Sequence, residues 1–312
     1  MIILFHAIAN DNHFFHCLQS KISSIIPKLF LFAIDNFIML IDGRKIAQEI
    51  EEKIKKEAEG KEIKIITIVV DGNEESWLFA RLKDKACKRV GYEHEILGFE
   101  RIEQKELEKE IEKLNENEEI IGINIQLPLP KEFNHVELVE KIDVRKDIEG
   151  MHPCNIGKTL LGKEEIVPCT PKAILKILDH INVDLQGKDV VIVNHSNIIG
   201  KPLAVMLLKR NASVAICHEY TKNLASYTKK ADIVITATGV KGLIKEDMVK
   251  EDAILIDAGI KKEGNKVFGD VDKKALEKAS FATPVPGGVG PVTIASMLEN
   301  CLIAYEKIHK GE

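Results

Sequence analysis

The sequence lacks the features that mark several specialised classes of protein. Its six cysteines form no C-x-x-C pair, which argues against a zinc knuckle or a redox dithiol and fits a reducing cytoplasm. Lysine and arginine total 44 against 49 for aspartate and glutamate, so the chain has no excess of positive charge for a nucleic-acid backbone. The apolar stretch 29–34 ends at Asp35, far short of the roughly 20 residues of a membrane-spanning helix. We therefore expect neither nucleic acid nor a membrane as a partner.

What the sequence contains fits a two-domain enzyme. Its 312 residues are enough for two domains of about 100–200 residues each. Hydrophobic residues make up 45% of the chain and charged residues 30%, and this composition can bury a sizeable core beneath a solvated surface.

The first 38 residues differ from the rest in composition. They carry four charged side chains, whereas the remaining 274 residues carry 89. The segment sustains no helix or strand period, and it lacks the basic start and cleavage site of a secretory signal. Just after Met39, Asp42 is a candidate N-cap for an amphipathic helix. We predict that the protein starts at Met39 and that residues 1–38 are an untranslated or disordered extension.

Strand and helix patterns alternate along the chain in two series. The first series predicts strands at 64–70, 91–99 and 120–130, with helices at 76–90 and 103–115. The second predicts a helix over 172–180, strands at 189–193, 213–219, 231–239 and 252–259, and a helix from Gly200. Such alternation favours parallel sheets with helices on their faces. The predicted fold is α/β, with a second, Rossmann-like domain of the dinucleotide-binding kind.

The turn after the strand 189–193 is a candidate phosphate-binding turn. The G-x-G-x-x-G fingerprint is absent, because Asn194 and Ser196 stand where glycines are expected and only Gly200 remains. By itself the turn is equally compatible with an ordinary strand–helix connection. Glu219 lies 19 residues after Gly200 at a strand end, where a carboxylate could accept bonds from a ribose hydroxyl or could simply be solvated.

Three side chains of the predicted helix 76–90 lie on one face. Ser76, Phe79 and Lys83 are spaced three and four residues apart. In a cleft that excludes water, Lys83 could transfer protons near neutral pH, but packing beside a solvated amine is the plainer alternative. Gln126 lies inside an apolar strand, where an amide is costly unless it is hydrogen bonded. It is either a satisfied core amide or part of a site.

Two further segments are candidate sites. Residues 283–293 contain three prolines and three glycines, which predicts a rigid loop whose backbone can approach a flat ligand closely. His152 and Cys154 resemble a pair of metal ligands, but no further His or Cys follows at a suitable spacing. We therefore predict a structural role for this pair and no metal site.

Several motifs together resemble one enzyme family, from Met39 nearly to the C-terminus. They are LIDGRKIA, the S-x-x-F-x-x-x-K-x-K-A-C helix (76–87), GINIQLPLP (122–130), KDIEGMHPCNIGK (146–158), PCTP (168–171), GKP (200–202), GDVD (269–272) and TPVPGGVGP (283–291). In order and spacing they are similar to the signatures of the bifunctional methylenetetrahydrofolate dehydrogenase/cyclohydrolase family.

The resemblance implies an activity and a set of site residues. The activity is oxidation of 5,10-methylenetetrahydrofolate by a nicotinamide cofactor, followed by hydrolysis of the methenyl product to 10-formyltetrahydrofolate. Lys83 matches the family's catalytic lysine, Gln126 the glutamine that orients it, and Glu149 a carboxylate that reads the pterin edge. The implied substrate-binding residues are Phe79, Asp147, Pro286, Gly287 and Gly288. The implied cofactor-binding residues are Thr170, Asn194, His195, Ser196, Gly200, Glu219, Gly239 and Ile260.

The resemblance also implies a domain arrangement and partners. Residues 39–168, completed by a C-terminal helix at 292–312, correspond to the catalytic, folate-binding domain, and residues 169–291 correspond to the dinucleotide-binding domain. The substrate lies in the cleft between the two domains. Tetrahydrofolate derivatives are the expected partners of a cytoplasmic homodimer.

Four residues depart from the family pattern. Phe79 replaces tyrosine and keeps the stacking face without the hydroxyl, and Glu149 replaces aspartate and reaches one methylene farther. His195 removes the permanent cation of the usual G-R-S turn, and Glu219 replaces a small polar residue near the same phosphate. The family favours NADP, which we retain as the expected cofactor, with NAD as the alternative because of His195 and Glu219.

These departures leave two other functions open. One is a dehydrogenase without cyclohydrolase activity, which the presence of Lys83 and Gln126 argues against. The other is a catalytically silent, folate-binding regulatory relative. A coupled absorbance assay distinguishes them, because the first accumulates the methenyl product and the second shows no turnover.

Overall fold

A computed structural model describes residues 38–70, 74–264 and 266–311. The chain divides into two units, 1–38 and 39–312. The predictions made for residues 1–37 lie outside the described residues. The second unit begins with a short strand, β1 (Met39–Leu40).

Among the described residues, the α-helices lie between the strands of two sheets, as the alternation predicts. They are α1 (Gly43–Glu57), α2 (Glu74–Val90), α3 (Gln104–Glu116), α4 (His135–Glu140), α5 (Pro153–Leu160), α6 (Cys169–His180), α7 (Gly200–Lys209), α8 (Ala225–Thr228), α9 (Lys273–Leu276) and α10 (Val289–Lys310). Asp42 is the N-cap of α1, because its carboxylate accepts from the backbone N–H groups of Arg44 and Lys45. This cap is as predicted.

A three-stranded parallel sheet lies in the first half of this unit. It has the order β3–β2–β4, with β2 at Lys64–Val70, β3 at Glu93–Phe99 and β4 at Ile120–Ile125. Alternate residues of the central strand enter different cores. Ile65 packs on one face of the sheet, and Ile66 and Ile68 pack on the other. The strand is therefore apolar throughout, as expected when helices cover both faces.

A six-stranded parallel sheet forms the second half. Besides β1 it contains β5 (Asp189–Val193), β6 (Ser213–Cys217), β7 (Ile233–Thr236), β8 (Ile254–Asp257) and β11 (Phe281–Ala282). The order of its strands is β1–β11–β8–β7–β5–β6. A separate hairpin pairs β9 (Lys261–Glu263) with β10 (Lys266–Phe268). With the helices that connect its strands, this half has the α/β architecture that the sequence predicts.

Several element ends differ from the prediction. β4 ends at Ile125 rather than at the prolines, because the backbone N–H of Gln126 makes the last bond to its neighbour, at Ile68. The strands predicted at 213–219, 231–239 and 252–259 are each shorter at their carboxyl ends, where the chain turns into loops. The last helix was predicted over 292–312, whereas α10 already begins at Val289.

The last helix is joined to the first half through a buried amide. Asn300 is fully buried, and its Nδ2 donates to the carbonyl oxygens of Ile148 and Val167, both at 2.9 Å. Its Oδ1 accepts from Lys172 Nζ at 2.9 Å. Burial lowers the pKa of Lys172, although the Glu299 carboxylate lies 2.6 Å away. One side chain thus connects α10 with α6 and with the segment that carries Glu149.

Substituting Asn300 with leucine is expected to lower the free energy of unfolding by about 2–4 kcal/mol. The reason is that two buried carbonyl groups lose their donor and cannot reach water. Urea denaturation measures the change. Glu306→Gln, at an exposed position of the same helix, is the control and is expected to stay within about 0.5 kcal/mol of the wild type. An equal effect of both substitutions would show that the amide does not connect these elements.

Candidate active site

A cleft of about 1050 Å³ opens at the carboxyl ends of several parallel strands. Residues that follow β4 and β8 line it, together with one face of α2 and the loop 284–288. The carboxyl ends of parallel strands are where such sheets bind ligands. Predicted residues in its wall are Phe79, Lys83, Gln126, Asp147, Glu149, Thr170, Ile260, Pro286, Gly287 and Gly288.

Lys83 is held by two side chains in the cleft wall. It is only 9% exposed, and its Nζ donates to Glu149 Oε1 at 2.6 Å and to Asn124 Oδ1 at 2.9 Å. Asn124 Nδ2 donates to the same Glu149 oxygen at 2.7 Å. The three side chains form a closed hydrogen-bonded triangle in which a lysine ammonium has a nearby counter-ion.

Sequence reasoning did not identify Asn124. It lies two residues before Gln126 in the predicted strand 120–130, where the period of two places both side chains on one face of the sheet. This spacing, together with the cost of burying a second amide in an apolar strand, could have identified Asn124 from the sequence.

Gln126 does not hold Lys83 in this structure. Its Nε2 donates to the carbonyl oxygen of Leu127 at 2.8 Å, while its buried Oε1 has no partner among the described residues. The expected orienting contact is replaced by those from Asn124 and Glu149, which lie close enough to bond the ammonium. Gln126 therefore offers an unused acceptor at the cleft wall.

Asp147 is held by the turn that follows it. Its carboxylate is 1% exposed and accepts from the backbone N–H groups of Met151 and His152, at 3.1 and 2.8 Å, and from Asn155 Nδ2 at 2.9 Å. Burial raises the pKa of this carboxyl. Asp147 therefore helps to position the turn that carries Glu149, and its predicted role in substrate binding stays a prediction.

Phe79 and a histidine that was not predicted complete this part of the wall. Phe79 lies one helical turn before Lys83 on α2 and is partly exposed to the cleft. His135, the first residue of α4, also lines the cleft, and burial lowers the pKa of its imidazole while the nearby Glu149 charge opposes the shift. An aromatic face and a titratable ring thus flank the Lys83 triangle.

The glycine-rich loop is packed closely against the start of α1. A Cβ atom on Gly43 would overlap the carbonyl oxygen of Gly288. Gly287 has a φ of 106°, which favours glycine, and the Arg44 guanidinium carbon lies 3.0 Å from where its Cβ would be. The backbone of the loop therefore forms part of the cleft wall, as its composition predicts.

The turn after β5 is organised by an asparagine side chain. Asn194 Oδ1 accepts from the backbone N–H groups of Ser196 at 2.9 Å and Gly200 at 3.0 Å, and Asn194 Nδ2 donates to Ala237 at 2.7 Å. The backbone N–H groups of Asn197 and Ile198 donate to no protein acceptor among the described residues. Free amides just before a helix N-terminus suit an anion.

The two charged candidates for recognising a nucleotide ribose lie side by side. His195 Nδ1 is 3.6 Å from Glu219 Oε2, and both side chains are about half exposed. The ring of His218 lies 4.9 Å from that of His195, centre to centre. Gly239 follows the neighbouring strand with a φ of 70°. Apart from Thr170, which lies in α6, the predicted cofactor residues thus follow the carboxyl ends of adjacent strands.

The described part of the chain offers neither a membrane-spanning helix nor a cluster of metal ligands. No helix in it is long and apolar enough to cross a membrane. No group of three or more His, Cys, Asp or Glu residues in it is arranged to hold a metal ion. His152 instead caps α5, because its Nδ1 accepts from the backbone N–H of Cys154 at 3.1 Å.

Comparison with known proteins identifies relatives of this chain. Residues 41–149 match the family model of the tetrahydrofolate dehydrogenase/cyclohydrolase catalytic domain, and residues 168–309 match that of its NAD(P)-binding domain. The bifunctional protein FolD of Methanococcoides burtonii is 49% identical over 276 residues, which cover 86% of this chain and 96% of the relative.

Two solved structures are similar in both sequence and fold. The bifunctional FolD dehydrogenase/cyclohydrolase from Campylobacter jejuni has a TM-score of 0.84 and 40% identity, covering 87% of this chain and 99% of its own. The Trypanosoma brucei FolD enzyme, complexed with NADP and an inhibitor, has a TM-score of 0.83 and 32% identity, covering 86% and 98%.

The contact between α1 and the glycine-rich loop can be tested by adding one methyl group. Gly43→Ala is expected to destabilise the protein by about 1–3 kcal/mol, because the methyl group displaces Gly288 from the cleft wall. Gly290→Ala is the matched control, since nothing lies within 4 Å of its added Cβ and the position is helical. Chemical denaturation of both variants decides the point. Equal stability of the two would contradict the close contact.

Proposed function

Because the chain belongs to the tetrahydrofolate dehydrogenase/cyclohydrolase family, we propose that one cleft, built around Lys83, serves both of the family's reactions. The chain is a methylenetetrahydrofolate dehydrogenase and methenyltetrahydrofolate cyclohydrolase. It oxidises 5,10-methylenetetrahydrofolate and hydrolyses the methenyl product to 10-formyltetrahydrofolate, reactions of one-carbon metabolism. The nicotinamide cofactor, when bound, accepts the hydride from the one-carbon bridge.

The observation that carries the proposal is the hydrogen-bonded triangle. Lys83 is nearly buried, and its Nζ donates to Glu149 Oε1 at 2.6 Å. A pterin ring presents N–H donors along one edge, and a carboxylate accepts from such donors. When Glu149 accepts from the pterin, its bond to Lys83 weakens. Lys83 is then free to exchange a proton with a water molecule.

This coupling supplies the base that hydrolysis needs. The neutral Lys83 amine takes a proton from the water molecule that attacks the cationic methenyl carbon. The carbon–N5 bond then breaks as the formyl carbonyl forms, N5 takes up one proton, and the second proton of the water is released. The role of Asn124 is to hold Lys83 in place while Glu149 exchanges partners.

Other wall residues fit the substrate side of the same proposal. Phe79 presents a ring face one turn from Lys83, suitable for stacking on the flat pterin. Gln126 has a free acceptor oxygen, which can bond a donor of the substrate. The backbone at Pro286–Gly288 would close over the folate, because it forms part of the cleft wall.

Replacing Lys83 with methionine is expected to separate the two activities. Hydrolysis of the methenyl compound should fall at least about a hundredfold, because the step loses its proton acceptor. Hydride transfer should be partly retained, since the methylene carbon gives up a hydride and no proton has to move. Separate absorbance assays of cofactor reduction and of methenyl loss measure the two rates.

The matched control is Lys88→Met, on the same helix but outside the cleft. It is expected to leave both activities unchanged, because Lys88 is exposed and pairs only with Asp84 on its own helix. Equal loss of both activities in a well-folded Lys83→Met protein would remove the separate hydrolytic role.

The second part of the proposal concerns the cofactor. The family model establishes a nicotinamide dinucleotide, and we propose NADP, with the free amides of Asn197 and Ile198 facing its pyrophosphate. A protonated His195 can pair with the 2′-phosphate. Glu219 opposes this, because a carboxylate 3.6 Å from the same ring repels a phosphate and can instead accept from the ribose hydroxyls of NAD.

Replacing His195 with arginine is expected to strengthen the binding of NADP and to leave the binding of NAD unchanged. The reason is that a permanent cation pairs with the 2′-phosphate, which only NADP carries. Calorimetric titration of the wild type and the variant with each cofactor measures this. A preference of the wild type for NAD would overturn the NADP assignment.

Two properties of the whole enzyme complete the proposal. We infer a cytoplasmic enzyme, since the cysteines of the described residues are all free thiols, as in a reducing compartment. We also infer a homodimer, by family resemblance. Light scattering coupled to size-exclusion chromatography distinguishes a dimer from a monomer.

A further inference from the structure

A chain of three polar side chains connects α2 with the sheet beneath it. It joins Thr67 in the middle of β2, His94 in β3 and Asp84 on α2. Thr67 and the side chain of His94 are fully buried, and the side chain of Asp84 is 22% exposed. None of the three lies in the cleft wall or takes part in the reaction steps described above. Their burial requires an explanation, because a buried polar group is costly unless it is hydrogen bonded.

The hydrogen bonds of this chain run in one direction. Lys88 Nζ donates to Asp84 Oδ2 at 2.7 Å and lowers the pKa of that carboxyl, so Asp84 can only accept. His94 Nδ1, which lies 3.4 Å from Asp84 Oδ1, is therefore the donor nitrogen of the ring. Burial lowers the pKa of His94, and Nε2 of the neutral ring is an acceptor. The hydroxyl of Thr67, 2.8 Å away, donates to it.

The same order of groups occurs in catalytic triads, where a hydroxyl, an imidazole and a carboxylate act in turn. Burial excludes that role for Thr67. Its side chain is fully buried and lies outside the cleft wall, so its oxygen cannot reach a substrate there. The chain of hydrogen bonds therefore acts on the protein and not directly on a ligand.

Each end of the chain lies next to a member of the Lys83 triangle. Asp84 directly follows Lys83 in α2. Thr67 is paired in register with Asn124 of β4, so the side chains of these two residues lie on the same face of the sheet. The hydrogen bonds thus connect the helix that carries the lysine with the position on the sheet that carries its partner.

A second contact between α2 and β3 is apolar and cannot fix the helix by itself. Trp77 lies against the backbone of β3, where a Cβ atom on Gly98 would be 2.6 Å from Trp77 Cη2. Trp77 and Asp84 are seven residues apart, so they lie on the same side of the helix. The indole ring limits how closely the helix approaches the strand. The hydrogen bonds are directional, and they fix the position of the helix along the strand.

We propose that Thr67, His94 and Asp84 are positioning residues for the hydrolytic step. They hold α2 where the Lys83 ammonium meets its two partners in the cleft wall. The proposal rests on the proposed function only in assigning that step to Lys83. A base must lie within hydrogen-bond distance of the attacking water, and a displacement of about 1 Å can cost a hundredfold in rate. Hydride transfer does not use the amine, so it is much less sensitive to the same displacement.

Thr67→Val tests the first bond of the chain. Valine keeps the shape of the buried side chain and removes the donor to His94. In this variant, kcat for hydrolysis of the methenyl compound is expected to fall about tenfold, because Lys83 is displaced. The KM for that compound and the rate of hydride transfer should stay within about twofold of the wild type. Thr67→Ser, which keeps the hydroxyl, should restore most of the hydrolytic rate.

Thr228→Val is the matched control. Thr228 is also fully buried, and its hydroxyl donates to the carbonyl oxygen of Leu224, four residues earlier. It lies outside the cleft wall, so its replacement should leave both activities unchanged. A loss of hydrolysis as large as that in Thr67→Val would show that the effect is not specific to the chain, and would contradict the positioning role.

The other end of the chain supplies a second variant in case Thr67→Val does not fold. Asp84→Ala removes the acceptor for His94 and should show the same selective loss of hydrolysis, whereas Asp84→Asn keeps an acceptor and should lose much less. Lys88→Met removes a different partner of Asp84 and should leave hydrolysis unchanged. Because the residues act as one chain, combining Thr67→Val with Asp84→Ala should cost no more than about the larger single loss.

Unchanged hydrolysis in folded Thr67→Val and Asp84→Ala proteins would overturn the proposal, as would an equal loss of both activities in them. If Lys83→Met retained hydrolysis, the proposed function would fail instead. A crystal structure of Thr67→Val would still decide the role of the chain. In it, Lys83 Nζ is expected to lie more than about 3.5 Å from Asn124 Oδ1. A contact that stays at 2.9 Å would refute the positioning role.

Discussion

The structure depends most on keeping a charged lysine inside a wall that excludes most water. An ammonium that is 9% exposed requires partners within hydrogen-bond distance, because burying an unpaired charge is costly. Glu149 and Asn124 meet that requirement from two different elements. Their own positions depend in turn on β4 and on the turn that Asp147 holds. The parallel sheet, the turn and the helix of Lys83 must therefore assemble together before the site exists.

The buried aspartates of this fold are stabilised by the same kind of hydrogen bond. Asp147 and Asp257 accept mainly from backbone N–H groups of short turns, and Asp270 accepts from a backbone N–H and two hydroxyls. Such donors stabilise charge without bringing in a lysine or arginine side chain, whose entropy and solvation would also have to be overcome. Each of these acids fixes a loop at the carboxyl ends of strands. The loops that shape the cleft are thus set by carboxylates, although ligands would meet mostly backbone and apolar groups there.

The sequence predicts the architecture well because periodicity is a local property. The strand of residues 64–70 and the spacing of Phe79 and Lys83 both follow from short-range patterns, and the structure contains them as predicted. Two-residue strands such as Met39–Leu40 have no pattern of their own and exist only through pairing with Phe281–Ala282. Contacts between distant segments cannot be predicted from local patterns either. Asn124 contacts Glu149 only after the sheet has formed. The spacing of residues also does not predict that Asp147 accepts hydrogen bonds from its own turn.

Two of the four residues that the sequence resemblance implies to be departures from the family pattern, Phe79 and Glu149, line the same cleft. A tyrosine at position 79 would bring a hydroxyl to the face of α2 that carries Lys83, and phenylalanine removes that polar group. The additional methylene of glutamate at position 149 lets its carboxylate contact Lys83 at 2.6 Å while Asn124 bonds the same oxygen. The ammonium therefore needs no hydroxyl from residue 79. A shorter carboxylate beside the same phenylalanine would leave Lys83 with Asn124 as its main partner, so the two departures are best understood as acting together.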